Sequence, residues 1–268
     1  MAAASRARVE RARALRPAAE LERLAERLPP PPELRLSPQR FDLIAELKLR
    51  SPAAGALRAA AAEDIGARVL AYQGAGAAAV SVLTEPSRFD GSMRHLEQAA
   101  RILAVPAMRK DFLVDPYQVL EARVAGAGGV LVIVRMLDPA GSAALVDCAL
   151  AHGLFVLLET FDAADIEVAQ RLVADRAAHR RRLLVGVNCR DLVSLQVVPE
   201  RLEALAASLP ADVPRVAESG IGGAADAARA AQAGYDLALV GSALMRGADP
   251  GELVTAMLRA GRAARIGR

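Results

Sequence analysis

The chain has 268 residues, 53% of them hydrophobic and 24% charged, with a net charge of +3. That length suits one large α/β domain or two small ones, and the composition is that of an ordinary soluble globular protein. No apolar run approaches the roughly 18 residues of a membrane-spanning helix. Cys148 and Cys189 lack CxxC spacing, which argues against structural zinc and suits a reducing compartment.

The charge is unevenly spread. Residues 1–40 hold nine Arg against five Glu, and the last ten residues hold four Arg and no acid. The net +3 less the +8 of these two ends leaves −5 for the body. A mildly acidic body speaks against nucleic-acid binding, and the basic ends read as solvated helix faces. His95, His152 and His179 share no ligand spacing and read as exposed helix residues. The opening Met1 to Arg8 has some transit-peptide character, but Glu10, Glu20 and Glu22 break that acid-poor pattern, and a cytoplasmic protein is expected.

In chain order, Leu15, Leu21, Leu24 and Leu28 recur at helical spacing and predict one or two helices, broken near Pro17 and ended by Pro29 to Pro32. Short runs rich in Val, Ile and Leu follow at 43–48, 78–83, 104–109, 129–134, 154–158, 183–188, 213–217 and 236–240. Helical stretches such as Glu63 to Gln73, Pro116 to Ala125 and Ala224 to Ala233 separate them, and a glycine precedes several strands. Strands apolar on both faces, alternating with helices, predict a parallel sheet. Eight of them predict a (β/α)8 TIM barrel over residues 41–268, with an N-terminal helical extension over 1–40 packing on it. A doubly wound open sheet is the alternative. No GxGxxG follows the first strand, so its dinucleotide-binding version has no support.

Catalytic residues of such barrels cluster where strands end. Lys48 and Lys110 are the only lysines in a chain that otherwise writes its cations as Arg, and both close strand-like runs. Lys can shift its pKa and exchange a proton where Arg stays charged, so scarce lysines at strand ends point to chemistry rather than solubility. Glu46 and Lys48 are two apart and share a strand face. Glu159 follows the fifth run, where the bland alternative is a carboxylate capping a helix near Asp162. Asn188, Arg190 and Asp191 follow the sixth run, and Glu218 and Ser219 the seventh. Gly220 and Gly241-Ser242 stand where barrels bind phosphate through backbone N–H groups, and Ser51 with Arg50 joins them from the first loop. A phosphorylated small-molecule substrate follows.

Seven segments, in order, carry a resemblance: Ile44-Ala45-Glu46-Leu47-Lys48 with Ser51-Pro52; Ser81 to Glu85 with Phe89-Asp90-Gly91-Ser92; Arg109-Lys110-Asp111-Phe112; Leu158-Glu159-Thr160; Gly186 to Leu192; Ala217 to Ile221; and Val240 to Arg246. They span about residues 41 to 250, and the sequence resembles the indole-3-glycerol phosphate synthases, which close the indole ring in tryptophan biosynthesis. The resemblance implies a carboxy-lyase acting on 1-(2-carboxyphenylamino)-1-deoxyribulose 5-phosphate, with loss of CO₂ and water. It implies Lys110, Glu159, Lys48, Glu46 and Asn188 as catalytic residues. Arg190, Glu218 and Ser219 would hold the sugar, and Phe89, Phe112, Leu131 and Ile133 would wall the aromatic ring. Ser51, Gly220, Gly241 and Ser242 would take the phosphate. Neither metal nor organic cofactor is implied, and the expected form is a monomer or weak dimer, with contacts to other tryptophan-pathway enzymes a further option.

The chain departs from the family pattern at Ala53-Ala54, where a Ser-Lys pair is common, at Phe161, where His is common, and at Cys189, where Asn is common. Cys189 reads as a small packing residue. Two rivals remain: a phosphoribosylanthranilate isomerase, which would need a Cys on the first strand, and a non-catalytic barrel that binds an acidic partner through its Arg-rich ends.

Overall fold

The computed structural model describes residues 1–39, 41–52, 55–57, 63–191 and 194–266. The departure at Ala53-Ala54 therefore lies outside the described residues. Eight parallel strands close into a barrel: β1 Asp42–Leu47, β2 Ala79–Leu83, β3 Ala107–Lys110, β4 Gly129–Ile133, β5 Phe155–Thr160, β6 Leu183–Asn188, β7 Arg215–Glu218 and β8 Leu237–Val240. Each neighbours the next in sequence, and β8 pairs with β1 through Asp42↔Leu237 to Ala45↔Val240. All eight expected strands form, and the open-sheet alternative is overturned by that closure. Their limits differ at two informative places. The third strand begins at Ala107 because Pro106 has no N–H for the ladder, and it runs on to Lys110. The fifth extends to Thr160, so Glu159 lies within the strand instead of after it.

The helices are α1 Ala2–Leu15, α2 Ala18–Arg27, α3 Ile65–Gly74, α4 Pro86–Phe89, α5 Met93–Ile102, α6 Pro116–Val124, α7 Pro139–Ala151, α8 Ala163–Ala174, α9 Glu200–Ala206, α10 Ala224–Ala233, α11 Ser242–Arg246 and α12 Pro250–Ile266. Aspartates open several: Asp115 caps α6, Asp138 caps α7 and Asp162 caps α8, each accepting a backbone N–H of the first turn. Alternation along the strands makes two cores. Ile44, Met108, Leu131, Leu157, Leu184 and Leu239 fill the inside of the barrel, while Leu43, Val82, Val130, Val156 and Val185 pack outward beneath the helices. A third cluster joins Val9, Leu21 and Ala25 of α1 and α2 to Tyr117 and Leu120 of α6. A short antiparallel pair, Arg50–Ser51 with Gly55–Ala56, rises from the end of β1 and has no counterpart in the sequence reading.

The basic ends are not simply solvated. Arg8 pairs with Asp111, Arg13 with Asp115, Arg262 with Asp42 and Arg265 with Asp236. For these four arginines the acidic body supplies the partners. The histidines also differ from expectation: His95 and His152 are half-buried, and only His179 is exposed.

Candidate active site

A cavity of about 840 Å³ opens at the carboxyl ends of the strands. Ion pairs organise its floor. Lys48, one residue past β1, donates from Nζ to Glu46 Oε1 at 2.6 Å. Lys110, the last residue of β3, donates from Nζ to Glu159 Oε2 at 3.0 Å and lies 3.9 Å from Glu218 Oε2. Glu159 thus turns inward to Lys110, while Asp162 caps the following helix; the capping alternative for Glu159 is ruled out.

The three carboxylates Glu46, Glu159 and Glu218 are buried, and two ammonium groups face them. Burial pulls the Lys110 ammonium down, but Glu159, Glu218 and Glu46 together push it further up, so it stays protonated. Burial pushes the Glu218 carboxyl well above the carboxylate range, Glu159 adds to this, and Lys110 opposes it. Among the described residues, neither Glu218 oxygen has a hydrogen-bond partner. Protonation of Glu218, which this shift favours, removes the excess negative charge.

Glycine makes this crowding possible. A Cβ at Gly241 would lie 2.2 Å from Glu46 Oε1 and 3.0 Å from Lys48 Nζ, and one at Gly186 would lie 2.2 Å from Glu218 Oε1. Asn188, at the end of β6, is fixed by two donors to its Oδ1: the Arg190 backbone N–H and the Ser219 hydroxyl, both at 2.9 Å. A backbone N–H can only donate, so the bonded atom is the amide oxygen, and the Nδ2 donors are left for a ligand. Ser219 holds φ +69°, an uncommon value for a residue with a side chain, and Gly220 follows at φ +71°.

The structure brings Glu46, Lys48, Ser51, Phe89, Lys110, Phe112, Leu131, Ile133, Glu159, Asn188, Arg190, Glu218, Ser219, Gly220, Gly241 and Ser242 to this one cavity. The Phe89 and Phe112 rings stand 6.3 Å apart at 40°. Phe112 does two jobs, facing the cavity and packing on the inner core. Arg190 gives a guanidinium N–H to the Leu195 carbonyl at 2.8 Å, which ties it to its own loop. Arg50 is not part of the lining; it is exposed and lies 3.8 Å from Asp90. A cation the sequence reading passed over, Arg246, lines the cavity instead. It stands four residues after Ser242 on α11, one helical turn on, and that spacing was the available signal. Cys189 is buried in the outer core with its thiol pushed up to about 11 by burial, the state of a packing residue.

The profile of the family described as indole-3-glycerol phosphate synthase matches residues 1–257. The chain belongs to the indole-3-glycerol phosphate synthase family. The family member from a Parafrankia species is 41% identical over 245 residues, covering 91% of this chain and 88% of that one. The Mycobacterium tuberculosis member is 38% identical over 244 residues, covering 90% and 86%. Two solved structures share the fold alone at 16% identity. The 3-hexulose-6-phosphate synthase of Salmonella typhimurium gives a TM-score of 0.61 over 84% of this chain and 99% of that chain. Thiamine phosphate pyrophosphorylase of Pyrococcus furiosus gives 0.59 over 84% and 98%. Members of the indole-3-glycerol phosphate synthase family are carboxy-lyases of tryptophan biosynthesis, which removes the isomerase and the non-catalytic barrel from consideration.

Proposed function

We propose that this chain closes the indole ring of 1-(2-carboxyphenylamino)-1-deoxyribulose 5-phosphate, releasing CO₂ and water to give indole-3-glycerol phosphate. The observation that carries the reading is Lys110, an ammonium held protonated between Glu159 and Glu218 on the cavity floor. The phosphate binds among Ser51, Gly220, Gly241 and Ser242, with Arg246 beside them. The aryl ring lies against Phe89, Phe112, Leu131 and Ile133. Asn188, Arg190 and Ser219 hold the sugar between these two ends. The ring carbon bearing the carboxylate attacks the sugar carbonyl, and Lys110 gives its proton to the oxygen as charge develops there. Loss of CO₂ returns an electron pair to the ring and restores aromaticity. Lys48, oriented by Glu46, gives a proton to the departing hydroxyl, which leaves as water. Glu159 takes the proton from the carbon beside nitrogen, and the pyrrole double bond forms. Two protons are given and one is taken, matching the net consumption of one proton when a carboxylate leaves as CO₂.

Residues 1–40 and the barrel over 41–268 work together in this reading. It carries a phosphorylated small-molecule substrate and a cytoplasmic monomer or weak dimer. Among the described residues, no helix is long and apolar enough to cross a membrane. The test is to add the carboxyphenylamino-deoxyribulose phosphate to purified protein and follow indole fluorescence. Lys110→Met should lower kcat by about 10²–10⁴-fold, the usual contribution of a positioned acid. No signal from the intact chain, or full turnover by the Met variant, overturns the reading.

A further inference from the structure

Helix α1 turns two polar side chains toward the barrel. Ser5 is fully buried; its hydroxyl donates to the Phe112 carbonyl oxygen at 2.5 Å and accepts from Gln118 Nε2 at 3.0 Å. Three residues on, on the same helix face, Arg8 reaches Asp111 Oδ1 with Nη2 at 2.6 Å and Glu85 Oε1 with Nη1 at 3.4 Å. Both carboxylates are buried, and each already organises a cavity loop. Asp111 stands between Lys110 and Phe112; its Oδ1 accepts the Phe112 backbone N–H at 2.8 Å and its Oδ2 the Thr84 hydroxyl at 2.8 Å. Glu85 caps α4, accepting the backbone N–H groups of Ser87 and Arg88, and that helix ends at Phe89.

Arg8 therefore bridges the two loops that carry Phe89 and Phe112, the rings that face each other across 6.3 Å. The chemistry of the bridge is directional. Removing Arg8 leaves Asp111 with Arg109 alone and takes from Glu85 the one ion-pair partner it has among the described residues, so the two loops would shift to recover solvation or another cation. Arg109 is the nearest alternative, and it already serves Asp111 and Glu121. The residues read as the phosphate end stand on other loops, after β1, β7 and β8, and among the described residues no hydrogen bond or ion pair joins those loops to Ser5 or Arg8.

We propose that Ser5 and Arg8 are positioning residues for the aromatic half of the substrate: from outside the barrel they set the spacing of Phe89 and Phe112 and the path of the chain through Lys110. The inference rests on the ring-closing reading above. Its test uses the full chain and its Arg8→Gln, Arg8→Lys and Ser5→Ala variants. Turnover is measured with the phosphorylated substrate, binding with anthranilate and with inorganic phosphate as separate probes, and folding by thermal melting.

A misplacement of about 1 Å near the reacting centre costs on the order of 10²-fold. Arg8→Gln should accordingly lose about 10–100-fold in kcat/KM and weaken anthranilate binding by about fivefold or more, with phosphate affinity within about twofold of the parent. Arg8→Lys should recover part of the loss, and Ser5→Ala should move in the same direction by less. Parental kcat/KM and anthranilate affinity in both Arg8→Gln and Ser5→Ala overturn the proposal. A parallel fall of both affinities with melting temperature also overturns it, since that marks general loosening. Parental protein that neither turns over the substrate nor binds anthranilate defeats the ring-closing reading and this one with it, whereas an active parent with indifferent variants defeats only this one.

Discussion

Lys110 faces three carboxylates with one other ammonium to share the load, and that imbalance decides how the site responds to pH. Glu218 keeps its proton above the ordinary carboxylate range in the folded chain. Unfolded, it ionises near the usual value, so the folded state binds the extra proton. The stability this group contributes is complete below the ordinary glutamate pKa and is lost as pH rises toward the folded value. Glu218→Gln should therefore melt higher than the parent at pH 8 by about a few degrees, with the gap closing near pH 4.5, since roughly 1 kcal/mol corresponds to about 2–4 °C in a chain of this size. Melting curves at the two pH values check it; a pH-independent gap would place the effect elsewhere. Lys110→Arg separates charge from proton transfer. Guanidinium keeps the cation but does not release a proton, so this variant should be about as impaired in kcat as Lys110→Met. Substantial activity in the Arg variant would make Lys110 an electrostatic anchor only.

At the scale of elements, two strands are shaped around what they do not carry. Gly186 of β6 and Gly241 after β8 leave the room that Glu218 and Glu46 occupy. Gly241→Ala should displace the Glu46–Lys48 pair and lower turnover by about tenfold or more while the barrel still folds, because the overlap is with side-chain ends. Gly74→Ala at the end of α3 is the control: among the described residues nothing stands within 4 Å of the Cβ it would add, and it should stabilise the chain by about 0.5–1 kcal/mol without touching turnover. Circular dichroism melts alongside kinetics separate the two outcomes.

Elements of this kind were legible because their signals are local. Apolar runs, Gly-marked helix ends and polar residues at strand ends sit within a few positions of one another in the chain. Lys48, Lys110 and Glu159 stood out in this way. The long-range partnerships did not. Helical spacing says which face of α1 is apolar, but nothing in it says that Arg8 meets Asp111, 103 residues away. The pull of Arg190 to the Leu195 carbonyl depends on a loop turning back at Leu195, which holds φ +61° without being glycine. Residue types alone do not announce such a turn.

At the scale of the whole molecule, the two ends brace opposite ends of the barrel: α1 at the carboxyl ends of the strands through Arg8, and α12 at their amino ends. Helix α12 closes the barrel seam between β8 and β1, with Arg262 on Asp42 and Arg265 on Asp236. Its Gly261 lies so close to Phe41 that a Cβ would stand 2.1 Å from the ring. Both groups are held by packed elements, so Gly261→Ala should cost about 1–3 kcal/mol by overpacking. At temperatures where the variant remains folded, kcat should match the parent, because Phe41 and α12 lie outside the cavity lining. A change in kcat with unchanged stability would contradict this division between seam and site.

The scarcity of lysine has an experimental consequence. A chain with two lysines, both in the cavity lining, is a spectroscopic probe of its own floor. Grown with ¹³C-labelled lysine, the protein would show one pair of side-chain signals with no background from the surface. The signal of the ammonium between Glu159 and Glu218 and that of the ammonium on Glu46 could be followed separately through titration and turnover.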